Sequence, residues 1–368
     1  MDLNKTYDPN RVHEITLSEK TKELLNESTK TYWNEFDGKT WYGRCIFLSW
    51  YCSLADCTFC FRATKKCDDP KKVLRSKASV AIEALFCRIF GWRIEFLTGG
   101  YGMMPFFDLV EYAKLVNAVY GEKVWLNVGV LSQKQIEVIE PHIKGICASI
   151  ETCSPKLHNT VCPHKPIEPY QKMFDILTSK FPHIKKSIAI IVGLAKETTI
   201  EGKHLTENSE DLYAFIEKNK LDRITMYALK PVRGTPYTIA PTTDEFASAI
   251  ANVRLKFPRL QIIAGTNLRR CHEADILMQA GANAITKFPA TKQFATKRAH
   301  DVVNKIATEK RVFSSNLTIM PQINWQKEID TLQIPDEIKI QMKEKLPHYL
   351  HRFEHPTDIE SPSVCFDE

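Results

Sequence analysis

Three cysteines sit close enough to grip one small inorganic object. Cys52, Cys57 and Cys60 fall within nine residues, in the run Trp50-Tyr-Cys52-Ser-Leu-Ala-Asp-Cys57-Thr-Phe-Cys60-Phe-Arg62. Thiolates are the usual ligands of iron–sulfur clusters, and a four-iron cube normally takes four of them. Three ligands leave one iron open, and an open iron can bind a cofactor or substrate directly. The rival chemistry is structural zinc, which needs a fourth Cys or His. Cys45 and Cys67 are the candidates for that place. Cys45 lies seven residues before Cys52, an odd offset that on a strand turns the two side chains to opposite faces. Cys67 follows Lys65-Lys66 in a polar stretch and has the reach. Asp56, Thr58 and Arg62 make the loop polar, which argues against three unrelated core thiols.

Other residues with chemical capacity also follow apolar runs. Thr98-Gly99-Gly100-Tyr101 comes after one run, Glu151-Thr-Cys153 after another, and Gly193 after a third. Tyr227 and Leu229 flank the end of a fourth, and Arg269-Arg270-Cys271 and Lys287 follow later ones. Each has a plainer reading. The glycines suit tight turns. Glu151 suits a salt bridge to Lys185 or Lys186. Cys147, inside an apolar strand, reads as core.

The elements that must hold these residues alternate in kind. The strands expected are Arg44–Cys52, Arg93–Thr98, Val124–Val130, Gly145–Ile150, Ser187–Val192, Arg223–Ala228, Leu260–Ala264 and Asn283–Thr286. They are near-continuous apolar runs, as in a parallel sheet covered on both faces. Helices are expected at Lys77–Phe90, Phe106–Tyr120, Ser132–His142, Pro169–Lys180, Ser209–Lys220, Thr243–Lys256, His272–Ala280 and Thr291–Lys310. The alternation predicts an α/β fold, a (β/α) barrel that is complete or nearly complete. It occupies residues 41–315, after an N-terminal helical extension (1–40) and before a C-terminal helical tail (316–368). In such barrels the chemistry sits at the C-terminal ends of the strands, where the residues above fall.

The bulk numbers narrow the class. Hydrophobic residues at 43% and charged residues at 26% describe a globular chain, so a packed core is expected. The net charge of +6 is small and its basic residues are scattered among acids, so no nucleic-acid partner is expected. The apolar runs are strand-length, so no membrane span is expected. The polar start, Met1–Arg11, lacks a signal-peptide core, which predicts a cytoplasmic protein with reduced thiols. Eleven cysteines in that setting are no disulfide framework.

The cysteine loop resembles the signature of the radical S-adenosylmethionine (SAM) superfamily, in which an aromatic residue precedes the last cysteine; here that is Phe59. The family's usual spacing is three residues and then two, whereas this chain has four and then two. The resemblance extends in motif order over roughly Arg44–Phe288. Leu97-Thr98-Gly99-Gly100-Tyr101 resembles the segment that holds the amino group of SAM, with Tyr101 in place of the family's Glu. Gly193-Leu-Ala-Lys-Glu197 is similar to the stretch that passes the adenine, and Tyr227-Ala-Leu229 to the lining of the adenosine pocket. Pro231-Val-Arg-Gly234-Thr-Pro236 and Ala280-Gly-Ala-Asn283 resemble the biotin-synthase-like subgroup, and Leu48-Ser-Trp-Tyr-Cys52 with Cys162-Pro-His-Lys-Pro-Ile-Glu-Pro-Tyr170 resembles the archaeal two-component lipoyl synthases.

This resemblance implies a [4Fe-4S] cluster on Cys52, Cys57 and Cys60, SAM as cofactor, and its reductive cleavage to a 5′-deoxyadenosyl radical that activates a C–H bond. Glu151 is implied at the SAM ribose or amino group. Sulfur insertion in lipoate biosynthesis is the first reading of the reaction. It calls for a sulfur source, commonly a second iron–sulfur cluster, for which Cys153, Cys162, Cys271 and Arg269 are candidates. Arg269 and Arg270 suit an anionic substrate group or the SAM carboxylate better than an iron. Implied partners are a small-molecule or lipoyl-domain-bound substrate, an electron donor of ferredoxin or flavodoxin type, and a second radical SAM subunit. The alternatives are a radical SAM maturase that builds a hydrogenase metal cofactor, and a non-catalytic iron–sulfur protein.

Overall fold

Eight strands run in parallel and close on themselves: Lys39–Phe47, Arg93–Thr98, Val124–Asn127, Ile143–Glu151, Lys185–Val192, Arg223–Ala228, Gln261–Gly265 and Ala284–Thr286. The computed structural model describes residues 15–65, 73–200 and 202–356. Closure comes from the first strand pairing with the eighth, Trp41 opposite Ala284 and Gly43 opposite Thr286. The barrel is therefore complete. A ninth strand, Val312–Phe313, lengthens the ladder at the start of the first, with Lys39 opposite Val312. This strand was not legible in the sequence, nor were the helix Pro155–Val161 and the hairpin Thr199–Ile200/Lys203–His204.

The first strand departs most from expectation. It was expected at Arg44–Cys52 and lies at Lys39–Phe47. The apolar run Leu48–Trp50 is buried for another reason. After Phe47 the chain leaves the ladder and folds over the barrel mouth, where Leu48 and Trp50 are covered and the Trp50 ring stacks on Phe47 at 4.7 Å. Burial of a loop and burial of a strand write the same apolar signature. Cys52 is thus carried on a loop, well past the strand.

The extension forms a helix, Glu19–Glu35, capped by Ser18, whose hydroxyl accepts from the Thr21 amide. It lies outside the barrel against Thr243–Lys256 and Ala274–Gln279, with Ser28 and Thr29 donating to the Gln279 carbonyl at 2.8 and 2.9 Å. At the other end of the chain, Asp336–Glu354 packs on Lys77–Phe90 through Phe353 and Tyr349 against Phe86. Among the described residues no helix is long and apolar enough to cross a membrane.

One carboxylate ties the first strand to the loop that follows it. Glu83, on the helix Lys77–Phe90, accepts from Arg44 at 3.0 Å and from Arg75 at 2.6 Å, and all three side chains are buried. Arg75 also donates to the Phe47 carbonyl at 3.1 Å and to the Tyr349 hydroxyl at 3.1 Å, and its amide donates to the Leu48 carbonyl at 3.0 Å. The strand end, the loop entrance and the tail helix meet at this guanidinium. Removing one member of a buried ion pair strands the other charges, at a cost of about 3–5 kcal/mol. Glu83→Gln is expected to lower stability by about that amount, read as a fall in urea midpoint at unchanged slope. A change under about 1 kcal/mol, the range of an exposed pair, would contradict the role given to Glu83.

Candidate metal centre and adjoining cavity

The cysteine loop is seated by the ends of the second and fourth strands. Leu48 N donates to the Thr98 carbonyl at 2.6 Å, and Ser53 donates twice to the Tyr101 carbonyl, from N at 3.0 Å and Oγ at 2.6 Å. Gly100 is required by this contact. A Cβ there would lie 1.6 Å from the Tyr51 carbonyl oxygen and 2.3 Å from Cys52 Cα. Gly100 is thus glycine because the backbone of the cysteine loop packs directly against it.

The far side of the loop rests on residues after the fourth strand. Thr58 N donates to the Val161 carbonyl at 2.9 Å, and Phe59 and Cys57 pack against Leu157, Val161, Cys162, Leu194, Leu229 and Tyr237. The Tyr237 hydroxyl lies 3.0 Å from both Thr58 Oγ1 and Thr198 Oγ1. Asp56 contacts His164. Within the loop, Cys60 N donates to the Cys57 carbonyl at 3.0 Å. Cys52, Cys57 and Cys60 are the half-buried thiols, whereas the other described cysteines, including Cys45, are fully buried. Cys67 lies outside the described residues.

The electrostatics favour a thiolate at Cys57. A hydrogen bond from Cys162 holds the Cys57 thiol below its ordinary range, assisted by the Lys165 ammonium and opposed by burial. The same bond, with burial, keeps the proton on Cys162. Cys60 shifts the other way, raised by burial. Lys165 is itself held by Glu151, Nζ to Oε1 at 2.7 Å, with both side chains buried. Glu151 therefore pairs with Lys165, and neither Lys185 nor Lys186 is its partner; Lys186 donates to Thr178 at 2.7 Å.

A cavity of about 260 Å³ opens beside Cys60. Phe59, Ile191, Ala228 and Leu229 give it apolar walls, and Arg62, Glu151, Tyr227, Asn267 and Lys287 give it polar ones. Glu151 and Lys287, at the ends of the fourth and eighth strands, have φ of 68° and 69°. Such left-handed non-glycine backbone costs of order 1–3 kcal/mol and tends to mark functional sites. The Lys287 ammonium lies 5.2 Å from the Phe47 ring centre and 5.1 Å from that of Tyr227. The Tyr227 ring fits because position 265 is glycine, where a Cβ would lie 2.3 Å from it. A larger cavity, about 840 Å³, lies at the opposite end of the barrel between Arg93, stacked on Trp41, and Arg223, stacked on Trp125. It holds no thiol, and that end of a barrel serves stability.

Several expected site residues lie elsewhere. Gly193 has φ 103° and abuts Pro241; Glu197, in the same motif, accepts from the amides of Thr238 and Ile239 at 2.7 Å, so it staples a loop. Arg270 is committed to Glu273 at 2.9 Å and to the Pro241 carbonyl at 2.7 Å, which corrects its assignment to a substrate anion. The candidates for a second cluster are not brought together. Cys162 faces Cys57, Cys153 is buried near Glu207 and Asp211, and Cys271 donates to the Leu268 carbonyl at 3.2 Å. Arg269 shares the short 3-10 helix Leu268–Glu273 with Cys271 and lines a separate cavity with Pro241 and Thr242. Cys147 is core, its thiol pushed up to about 12 by burial.

The chain is 34% identical over 330 residues to the uncharacterized protein MJ0597 of Methanocaldococcus jannaschii, spanning 87% of this chain and 88% of that one. The two proteins belong to one family. No protein-family model matches the chain. Among solved structures, the fold is similar to methylornithine synthase (PylB), at TM-score 0.60 and 17% identity over 74% of this chain and 79% of that one. It is equally similar to the FeFe-hydrogenase maturase HydG from Carboxydothermus hydrogenoformans, at TM-score 0.60 and 15% identity over 92% of this chain and 86% of that one. At these identities the likeness is one of fold.

Two residues escaped the sequence reading. Lys165 was passed over inside Cys162-Pro-His-Lys165, and Cys162 was assigned to a separate cluster. Both belong to the surroundings of Cys57, a contact across about a hundred residues that no local pattern encodes. The thiolate bias at Cys57 has a chemical readout. In metal-free, reduced protein at about pH 7.5, limiting iodoacetamide is expected to label Cys57 ahead of Cys60. Lys165→Met should slow the labelling of Cys57 and cost about 3–5 kcal/mol by stranding Glu151. Peptide mass mapping showing Cys60 labelled first would contradict the assignment.

Proposed function

We propose that this protein is a radical SAM enzyme, holding a [4Fe-4S] cluster on Cys52, Cys57 and Cys60. The observation that carries the reading is the loop of three part-buried cysteines at the C-terminal mouth of a closed barrel, with Cys60 lining a mostly apolar cavity. The residues fit the group. The three cysteines are only part-buried as residues, one thiol is biased to thiolate, and the adjoining walls offer both apolar and charged contacts. When bound, the cluster supplies the electron that cleaves SAM to methionine and a 5′-deoxyadenosyl radical.

The chain's own residues do the rest. Phe59, Ile191, Leu229 and Tyr227 enclose apolar space suited to adenosine and shield it from water. Lys165, paired with Glu151, brings its ammonium near Cys57 and favours the thiolate there, with the Glu151 carboxylate opposing it. Arg62 donates to the Ser49 carbonyl at 3.2 Å and lies 5.3 Å from the Phe47 ring centre, which fixes a cation at the cavity wall. With Lys287, it offers anchorage for a carboxylate of SAM or substrate.

For the reaction, sulfur insertion in lipoate biosynthesis rests on the motif resemblance alone. The separation of Cys153, Cys162 and Cys271 argues that the sulfur would come from a second subunit. The same separation favours a second reading, maturation of a metal cofactor, because that chemistry consumes no cluster held by this chain. Either reading needs a low-potential electron donor of ferredoxin or flavodoxin type.

Anaerobically reconstituted protein with reductant and SAM is expected to yield 5′-deoxyadenosine, and Cys57→Ala should abolish it. Iron analysis should return about four irons per chain. Full turnover in Cys57→Ala would overturn the ligand set, and about eight irons would restore the second cluster.

A further inference from the structure

The last turn of the C-terminal helix, Asp336–Glu354, carries a second cluster of metal-ligating side chains. His351, Glu354 and His355 offer ligand atoms that all lie within 4.8 Å of one another. His351 and Glu354, three residues apart, share one face of the helix, and the C-cap residue His355 folds back beside them with its Nδ1 3.1 Å from the His351 carbonyl oxygen. The opposite face carries Met342, Leu346, Tyr349 and Phe353, which are buried, so the trio points outward. The two imidazole rings are already stacked, 3.9 Å between centres and 30° between planes. Neighbouring His348 is engaged elsewhere, 2.9 Å from Arg352 Nη2.

We propose that His351, Glu354 and His355 bind one divalent transition-metal cation of the zinc type. Two imidazoles and a carboxylate are a borderline donor set that suits zinc and its neighbours, whereas calcium and magnesium prefer oxygen alone. Donors at about 2.0–2.2 Å from zinc stand about 3.3 Å apart in a tetrahedron. Closing from the observed spacing takes about an ångström per side chain, within reach of small χ adjustments at an exposed surface. The carbonyls of the final turn add the negative end of the helix dipole, which attracts a cation. Three protein ligands leave the remaining position to water or another donor. This site is independent of the cysteine loop, because the two share no residue and draw on different donor atoms.

The test is calorimetric titration of the full-length protein with zinc chloride, wild type against His351→Ala/His355→Ala. Any zinc taken up by the cysteine loop is common to both proteins, so the difference isolates the helix site. The double variant is expected to bind one zinc fewer, and Glu354→Gln to weaken that same site about tenfold. Cobalt(II) read as wild type minus double variant should show ligand-field bands without thiolate charge transfer. Equal zinc stoichiometry in wild type and double variant overturns the site. An unchanged Kd in Glu354→Gln, or thiolate charge transfer in the cobalt difference, overturns the assigned donor set.

Discussion

The position of the cysteine loop depends on one buried ion cluster, Glu83 between Arg44 and Arg75. Arg44 belongs to the first strand and Arg75 to the segment after the loop, so their shared carboxylate brackets the thirty-residue excursion that carries the thiols. Charges this deep are costly unless every one is matched. Here the matching is complete enough to draw in the Phe47 carbonyl and the Tyr349 hydroxyl as well. A loop that must hold a reactive centre gains from such an anchor, because its own polar residues cannot build a core. The rest of its support is local: Gly100 yields space to its backbone, and Val161 and Tyr101 accept its amides.

From that seat the thiols meet two kinds of surroundings. Cys57 faces Cys162 and Lys165, a proton donor and a cation, which together favour the anion. Cys60 borders the aromatic and aliphatic cavity. A metal held between them would have charge compensation on one side and dry, shaped space on the other, the division of labour expected where a barrel positions a cofactor and excludes solvent. Strain at Glu151 and Lys287 points to the same cavity from opposite strands.

Much of this was legible. The second and sixth strands fall where their apolar runs predicted, and closure into a barrel followed from the alternation of elements. The three cysteines identified their own loop by spacing. What escaped has a common cause. Leu48–Trp50 looked like strand because a buried loop is as apolar as a buried strand. Val312–Phe313 and Thr199–Ile200 are too short to leave a periodic pattern. Arg270 looked like a ligand for an anion because its partners, Glu273 and the carbonyls of Pro241 and Thr242, are assembled only by tertiary packing. Cys162 was read as a candidate for a second cluster and Lys165 was passed over, because their relation to Cys57 lies in space alone.

The proximity of a fourth thiol also sharpens the central question. Cys162 beside Cys57 makes a closed four-thiolate site a concrete competitor to an open one. Electron paramagnetic resonance of anaerobically reconstituted, dithionite-reduced protein decides between them. The account predicts a [4Fe-4S] signal whose g-values shift when SAM is added, with hyperfine coupling to nitrogen or oxygen label in the amino-acid part of SAM. A signal indifferent to SAM, or a colourless protein holding zinc on these sulfurs, would contradict it.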